Sequence, residues 1–212
     1  MQIEVFSDFS CPFCYIAKKK LFQAIEQLNL TEEVVIEYKA YELNPQALKT
    51  TAFPYVETLI EKKNNNRQKV DEIMESITMH GNEVGVTFNF QKVKLANTKS
   101  AHRLSKLAKT YSKENEFVEI VMDRYFTEGL NLNDEEELLA ICEEIGLDRN
   151  EAHNVMEYEQ YSEQLAMDRY EAQQLQITSI PFFVFENRYG IQGVEPLEVF
   201  TKTLLQAKAL KE

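Results

Sequence analysis

The segment Ser10-Cys11-Pro12-Phe13-Cys14 constrains this chain more than any other. It follows a short β-forming run, residues 3 to 9, and precedes a run in which apolar residues recur at helical spacing: Ile16, Leu21, Ile25 and Leu28. A proline in the first turn of a helix costs no hydrogen bond, because the N–H it lacks would have no partner there. The pattern therefore predicts a strand and then a helix, with Cys11 at or just before the helix N-terminus.

Two cysteines in the first turn of a helix and three residues apart lie on the same side, where they can form a disulfide. The unpaired N–H groups and the positive dipole end at a helix N-terminus favour the thiolate of Cys11, which is the attacking species in thiol–disulfide exchange. Cys14 then resolves the mixed disulfide. The sequence predicts redox chemistry, with Cys11 as an exposed nucleophile.

A structural zinc site and an inert pair are the competing interpretations of these two cysteines. Zinc needs two further ligands. The candidates are Cys142 and three histidines, at spacings that do not resemble a ligand set: His80, His102 and His153. We therefore predict no metal site.

The order of predicted elements indicates an α/β fold with an insertion. A second strand at residues 34–41 completes a βαβ unit. Residues 54–176 are helical almost throughout, and residues 181–192 form a hairpin before a closing helix. Because sheet residues come from both ends of the chain, the helical block is an insertion. The predicted divisions are 1–50 and 161–212 for the two halves of the sheet domain, and 51–160 for the helical insertion.

Charge and hydropathy exclude two classes of partner. The formal net charge is −12, and residues 113–151 carry 13 acidic against 3 basic side chains. So negative a chain repels nucleic-acid phosphates. No apolar run reaches the length of a membrane span, so no membrane partner is predicted. The N-terminal residues do not resemble a signal peptide, and we expect a cytoplasmic location.

Ser179-Ile180-Pro181-Phe182-Phe183-Val184, together with the cysteine motif and the element order, resembles the thioredoxin superfamily. The helical insertion resembles its DsbA branch. Three further segments are similar to the FrnE-like cytoplasmic relatives of DsbA: Cys11-Pro12-Phe13-Cys14-Tyr15-Ile16, Asn97-Thr98 with Ala101-His102-Arg103-Leu104, and Gly190-Ile191-Gln192-Gly193. The resemblance covers essentially the whole chain. It implies a thioredoxin-like fold, βαβ and then ββα, with an all-helical DsbA-like insertion.

The resemblance also implies site residues. Pro181 is expected to follow a cis peptide bond and to pack beside the cysteine pair, and Ile180 to offer its backbone to an extended substrate. Pro12 and Phe13 are expected to contact substrate. Two departures leave substrate preference open: Phe13 replaces a common tryptophan, and Ser179-Ile180 replaces Gly-Val and brings a bulkier side chain beside the sulfurs.

Four further residues have two interpretations each. His102 and Arg103 either reach over the active site, where a cation stabilises the thiolate and His102 contacts substrate, or cap and solvate a helix. Glu37 is either the proton acceptor for Cys14 or a partly exposed strand residue that shares its face with Lys39. Cys142 is expected to be a buried, inert thiol.

The predicted function is that of a dithiol–disulfide oxidoreductase, acting as a reductase or isomerase on a thiol- or disulfide-bearing protein or small molecule. Its own dithiol serves in place of a bound cofactor, and glutathione is a candidate reductant. A glutathione-dependent transferase of the kappa class, or a 2-hydroxychromene-2-carboxylate isomerase, remains the alternative enzyme, although serine is usual there at position 11. A redox-gated adaptor remains the alternative outside enzymes. The oligomeric state stays open.

Overall fold

A computed structural model describes residues 1–48 and 53–210. Within them the chain forms six strands and nine helices. The strands are β1 (Gln2–Ser7), β2 (Val35–Ala40), β3 (Phe53–Pro54), β4 (Lys94–Leu95), β5 (Phe182–Phe185) and β6 (Tyr189–Gln192). The helices are α1 (Pro12–Gln27), α2 (Tyr55–Lys62), α3 (Arg67–Glu83), α4 (Lys99–Thr110), α5 (Glu114–Thr127), α6 (Glu135–Glu144), α7 (Arg149–Glu157), α8 (Ser162–Gln174) and α9 (Leu197–Lys208).

The chain divides into two compact units, Met1–Tyr41 with Gln164–Glu212, and Glu42–Glu163. The sequence-based divisions fall after residues 50 and 160. The first of these lies outside the described residues. In the structure the chain leaves the first unit directly after β2 and re-enters it within α8.

The first unit contains a four-stranded sheet in the order β2-β1-β5-β6. β1 pairs with β2 in parallel and with β5 antiparallel, and β6 continues antiparallel at the edge. The hairpin between β5 and β6 turns through residues 186–188, where Glu186 and Asn187 both have positive φ. The predicted βαβ and ββα halves therefore meet in one sheet, as expected for the thioredoxin-like fold.

Helices cover both faces of this sheet. Val5 and Phe183 are register partners and lie on one face. Phe200 of α9 packs edge-on against Phe183 there, and α1 packs against α9. On the opposite face Phe6 and Val184 pack with Ala172 of α8. Because side chains alternate along a strand, these two sets assign every residue of β1 and β5 to either the α1 face or the α8 face.

The second unit is mainly helical, and α4 packs against α5, α6 and α7. Helix starts follow ordinary capping: Asp134 accepts hydrogen bonds from two amides of α6, and Asp148 accepts one from α7. Gly146, with φ 76°, ends α6 as the sequence indicates. A two-stranded pairing of β3 with β4 interrupts the predicted helical block.

One helix begins later than the sequence indicates. The polar-rich pattern of residues 158–176 predicts one long helix, but α7 ends at Glu157 and α8 begins only at Ser162. Glu159 and Tyr161 both have positive φ, which breaks the helix between them. In the described part of the chain, no helix has the length and apolarity needed to cross a membrane.

Candidate active site

The cysteine pair lies at the junction of β1 and α1. Cys11 is the N-cap residue of α1, with extended backbone angles, and Pro12 opens the first turn. The amide of Cys11 donates to the carbonyl of Asp8 at 3.1 Å, and the carbonyl of Cys11 accepts from the amides of Cys14 and Tyr15. The predicted position of Cys11 at the helix N-terminus is confirmed. Pro12 is buried and Phe13 is half-buried beside it.

Neither thiol is widely accessible. Cys11 is 5% exposed and Cys14 is 2% exposed, so the expectation that Cys11 is an exposed thiol is wrong. Cys11 lies between β1 and α1, in a segment from Phe9 to Ile16 whose residues are all buried except Phe13. The two cysteines are not joined in a disulfide here.

Burial raises the pKa of the Cys14 thiol well above its ordinary value. A hydrogen bond with the Cys11 sulfur and the charge of Cys11 raise this pKa further. A backbone hydrogen bond from Asp8 lowers it, and the negative charge of Asp8 raises it again by the smallest of these effects. Cys14 therefore keeps its proton at neutral pH and can donate a hydrogen bond to Cys11.

Asp8 is a functional candidate that the sequence analysis missed. It is 1% exposed, and its carboxylate accepts from the Ser10 hydroxyl at 3.2 Å and from the Ser10 amide at 3.4 Å. An acidic residue at the end of the first β-forming run, three positions before Cys11, was the available signal. It places a buried carboxylate close enough to Cys14 to influence its titration.

The Ile180–Pro181 peptide bond is cis, as the resemblance implies. Pro181 directly precedes β5, whose pairing with β1 begins at Phe182 opposite Phe6. By the alternation of β5, Pro181 has the parity of Phe183, on the face against which Phe200 of α9 packs, and its packing beside the cysteine pair stays a prediction. The amide of Gly193 donates to the carbonyl of Pro181 at 2.8 Å, which ties this loop to the end of β6.

Ile180 has the opposite orientation. Its half-buried side chain packs against the Phe6 and Val184 cluster on the α8 face. The expectation that Ile180 brings a bulky side chain beside the sulfurs thus needs revision, because the side chain points to the other face of the sheet. The binding of substrate by its main chain stays a prediction.

Glu37 lies on the α8 face, in register with Glu4 of β1. Its carboxylate is 3.2 Å from the ammonium of Lys39, which also contacts Asp168 and Glu171 of α8. The sheet separates this face from α1. We therefore assign Glu37 to the Lys39 ion pair rather than to the deprotonation of Cys14.

Three candidates belong to the second unit. His102 and Arg103 are buried in α4, and a guanidinium nitrogen of Arg103 lies 3.4 Å from both the Glu159 carboxylate and the Ser162 hydroxyl. The roles of His102 beside Cys11 and toward substrate stay predictions. Cys142 is fully buried in α6, as expected, and burial raises its pKa to about 12.

The model of the DSBA-like thioredoxin domain matches residues 2–205. The chain belongs to this family. Among solved structures it is similar to a probable DsbA oxidoreductase, SCO1869, from Streptomyces coelicolor, at TM-score 0.91 and 27% identity, over 99% of this chain and 90% of that one.

Two more distant structures share the fold. A 2-hydroxychromene-2-carboxylate isomerase matches at TM-score 0.75 and 16% identity, over 100% of this chain and 98% of that one. The cytosolic disulfide reductase DsbM from Pseudomonas aeruginosa matches at TM-score 0.68 and 13% identity, over 99% of this chain and 100% of that one. At these identities the likeness establishes the fold alone.

Proposed function

We propose that this member of the DsbA-like family is a thiol–disulfide oxidoreductase that works as a disulfide reductase or isomerase. The observation that carries the proposal is the placement of Cys11 as the N-cap of α1, one turn before a buried Cys14 whose pKa is raised. That pairing supplies a nucleophile at a helix N-terminus and a second thiol that keeps its proton until the mixed disulfide is resolved.

The reaction proceeds in two exchanges. The Cys11 thiolate attacks a substrate disulfide, forms a Cys11–substrate disulfide and releases one substrate sulfur as a thiolate. Cys14 then loses its proton and attacks the Cys11 sulfur, which forms the Cys11–Cys14 disulfide and releases the second substrate sulfur. The substrate gains two electrons, and the enzyme dithiol is oxidised.

The second exchange needs a base near Cys14, because the protonated thiol does not attack. Asp8 is the buried carboxylate next to Cys14, and we assign it the role of proton acceptor. Two molecules of a small thiol such as glutathione return the enzyme to the dithiol state, and are themselves oxidised to a disulfide. A cytoplasmic location is consistent with this direction, because the cytoplasm keeps thiols reduced.

The test is turnover of a peptide disulfide with reduced glutathione. We expect the unsubstituted protein and Cys142→Ala to reduce a fluorescence-quenched peptide disulfide at similar rates. We expect Cys11→Ser to lose turnover and Cys14→Ser to accumulate a mixed disulfide detectable by mass spectrometry. Turnover that survives Cys11→Ser would contradict the proposal.

The same variants separate the alternatives. A glutathione transferase or isomerase would act on an electrophilic or isomerisable small molecule with glutathione, and would tolerate serine at position 11. An adaptor would keep its partner after Cys11→Ser and Cys14→Ser together. An oxidoreductase would lose turnover both in Cys11→Ser and in the variant that combines Cys11→Ser with Cys14→Ser.

A further inference from the structure

The loop before β5 is held by a side chain from the far strand of the hairpin. The side-chain nitrogen Nε2 of Gln192 donates a hydrogen bond to the Ser179 hydroxyl at 2.5 Å. Gln192 is the last residue of β6 and the register partner of Phe182, so it lies on the α8 face of the sheet. Both Gln192 and Ser179 are exposed.

The hydrogen bond from Gln192 restrains Ser179, the residue that precedes Ile180. After α8 the loop is held at its start, where the amide of Ile177 donates to the carbonyl of Ala172 at 2.9 Å. At its end the carbonyl of Pro181 accepts from Gly193 at 2.8 Å. Between these points Thr178 and Ser179 are exposed, and the Gln192 side chain restrains Ser179.

The side chain and the main chain of Ile180 lie in different surroundings. The side chain packs on the α8 face with Phe6 and Val184. The pairing of β1 with β5 begins only at Phe182, so the main chain of Ile180 lies beyond the last pair of that ladder. An extended chain that hydrogen-bonds Ile180 must find its N–H and C=O groups in a fixed orientation, because ordering them during binding costs entropy.

We propose that Gln192 is a positioning residue for substrate: through Ser179 it holds the main chain of Ile180 in the orientation that pairs with an extended substrate peptide. This inference rests on the proposed oxidoreductase function. It assigns Gln192 and Ser179 to the recognition of the main chain of a peptide or protein disulfide, and gives them no part in the exchange at sulfur.

The experiment compares a peptide disulfide with a small one, hydroxyethyl disulfide, using Gln192→Met, Ser179→Ala and the double variant. A neutral hydrogen bond contributes about 1 kcal/mol, so we expect KM for the peptide to rise about fivefold in each variant, while kcat changes little. The double variant is expected to match the single ones, because both remove the same contact. Turnover of hydroxyethyl disulfide and alkylation of Cys11 are expected to stay unchanged.

Ser179→Thr keeps the hydroxyl and is expected to retain a KM near that of the unsubstituted protein. Gln23→Met, at an exposed glutamine of α1, is the matched control for the loss of a surface amide. Additive effects of the two single variants, or equal losses on both disulfides, would overturn the role of Gln192 and leave the oxidoreductase intact. No turnover of either disulfide by the unsubstituted protein would overturn both proposals.

Discussion

The backbone amide of Asp8 donates a hydrogen bond to the sulfur of Cys14, while the carboxylate of Asp8 opposes a negative charge on that sulfur. One residue therefore acts on the resolving thiol in two opposite ways. The carboxylate is buried and accepts hydrogen bonds from the amide and the hydroxyl of Ser10. A base that is buried beside a buried thiol is suited to a proton transfer that solvent cannot reach.

Asp8→Asn is expected to slow the resolution of the mixed disulfide. The charge of Asp8 is the smallest contribution to the raised pKa of Cys14, so its removal helps Cys14 ionise only slightly. The loss of a general base typically costs two orders of magnitude or more, and we expect resolution to slow by about 100-fold. Acid quenching and mass spectrometry of the Cys11–peptide disulfide would follow this step separately from the initial attack.

Ser10→Ala is the control for this variant, because it removes a hydrogen bond to the carboxylate and keeps the carboxylate itself. It is expected to have a much smaller effect. Equal or faster resolution in Asp8→Asn would mean that Asp8 acts only as a nearby charge.

Cys11 is expected to react with iodoacetamide faster than Cys14 and Cys142. Cys11 is the N-cap residue of α1, whereas burial keeps Cys14 protonated. With a pKa of about 12, roughly one Cys142 thiol in 100,000 is ionised at pH 7. Peptide mapping of the reduced protein at neutral pH gives the three rates, and similar rates for Cys11 and Cys14 would contradict their assigned roles.

Local sequence patterns predicted the elements that carry the cysteines. A proline after Cys11 and apolar residues at helical spacing were sufficient for α1, and β-forming runs were sufficient for β1 and the hairpin. The start of α8 was placed at Tyr158 instead of Ser162, because Glu159 and Tyr161 adopt positive φ without a glycine or proline to signal it. Positive φ at such residues is imposed by the surrounding structure.

Contacts between distant residues were not predictable from local pattern. The Asp168 carboxylate accepts from the amide of Ala40, 128 positions earlier in the chain. Gln192 meets Ser179 only because the register of the hairpin brings the end of β6 beside the loop. The face on which Ile180 packs also depends on where the β5 pairing begins. Strand register is a property of the assembled sheet, and a shift of one residue would reverse every face.

The raised pKa of Cys142 predicts that the folded protein loses stability at alkaline pH. Its folded pKa, about 12, lies above the ordinary value of 9.0 that applies to the unfolded chain. The contribution of the protonated Cys142 thiol to the free energy of unfolding is therefore fully present below pH 9, and it is lost as the pH rises from 9 towards 12. In urea unfolding, the stability of the unsubstituted protein is expected to fall faster over this interval than that of Cys142→Ala, and parallel curves would contradict the prediction.

The ion pairs of Lys39 with the carboxylates around it are expected to stabilise the fold. Burial alone would lower the pKa of Lys39, but a hydrogen bond to Glu171 and the charges of the other carboxylates raise it above its usual range. Its ammonium lies within 4 Å of four carboxylates: Glu4 at 3.4 Å, Glu37 at 3.2 Å, Asp168 at 3.9 Å and Glu171 at 2.8 Å.

Lys39→Met leaves these carboxylates together without their shared cation, and is expected to reduce the free energy of unfolding by about 3 kcal/mol at pH 7. Because the folded pKa of Lys39 is raised above its ordinary value of 10.5, this contribution is fully present below pH 10.5 and is lost as the pH rises further, so the deficit is expected to shrink above pH 10.5. Lys202→Met, at an exposed lysine of α9, is the control and is expected to change stability by less than about 0.5 kcal/mol. A deficit in Lys39→Met that is the same at pH 7 and pH 11.5 would show that Lys39 stabilises α8 on the sheet by packing rather than by charge.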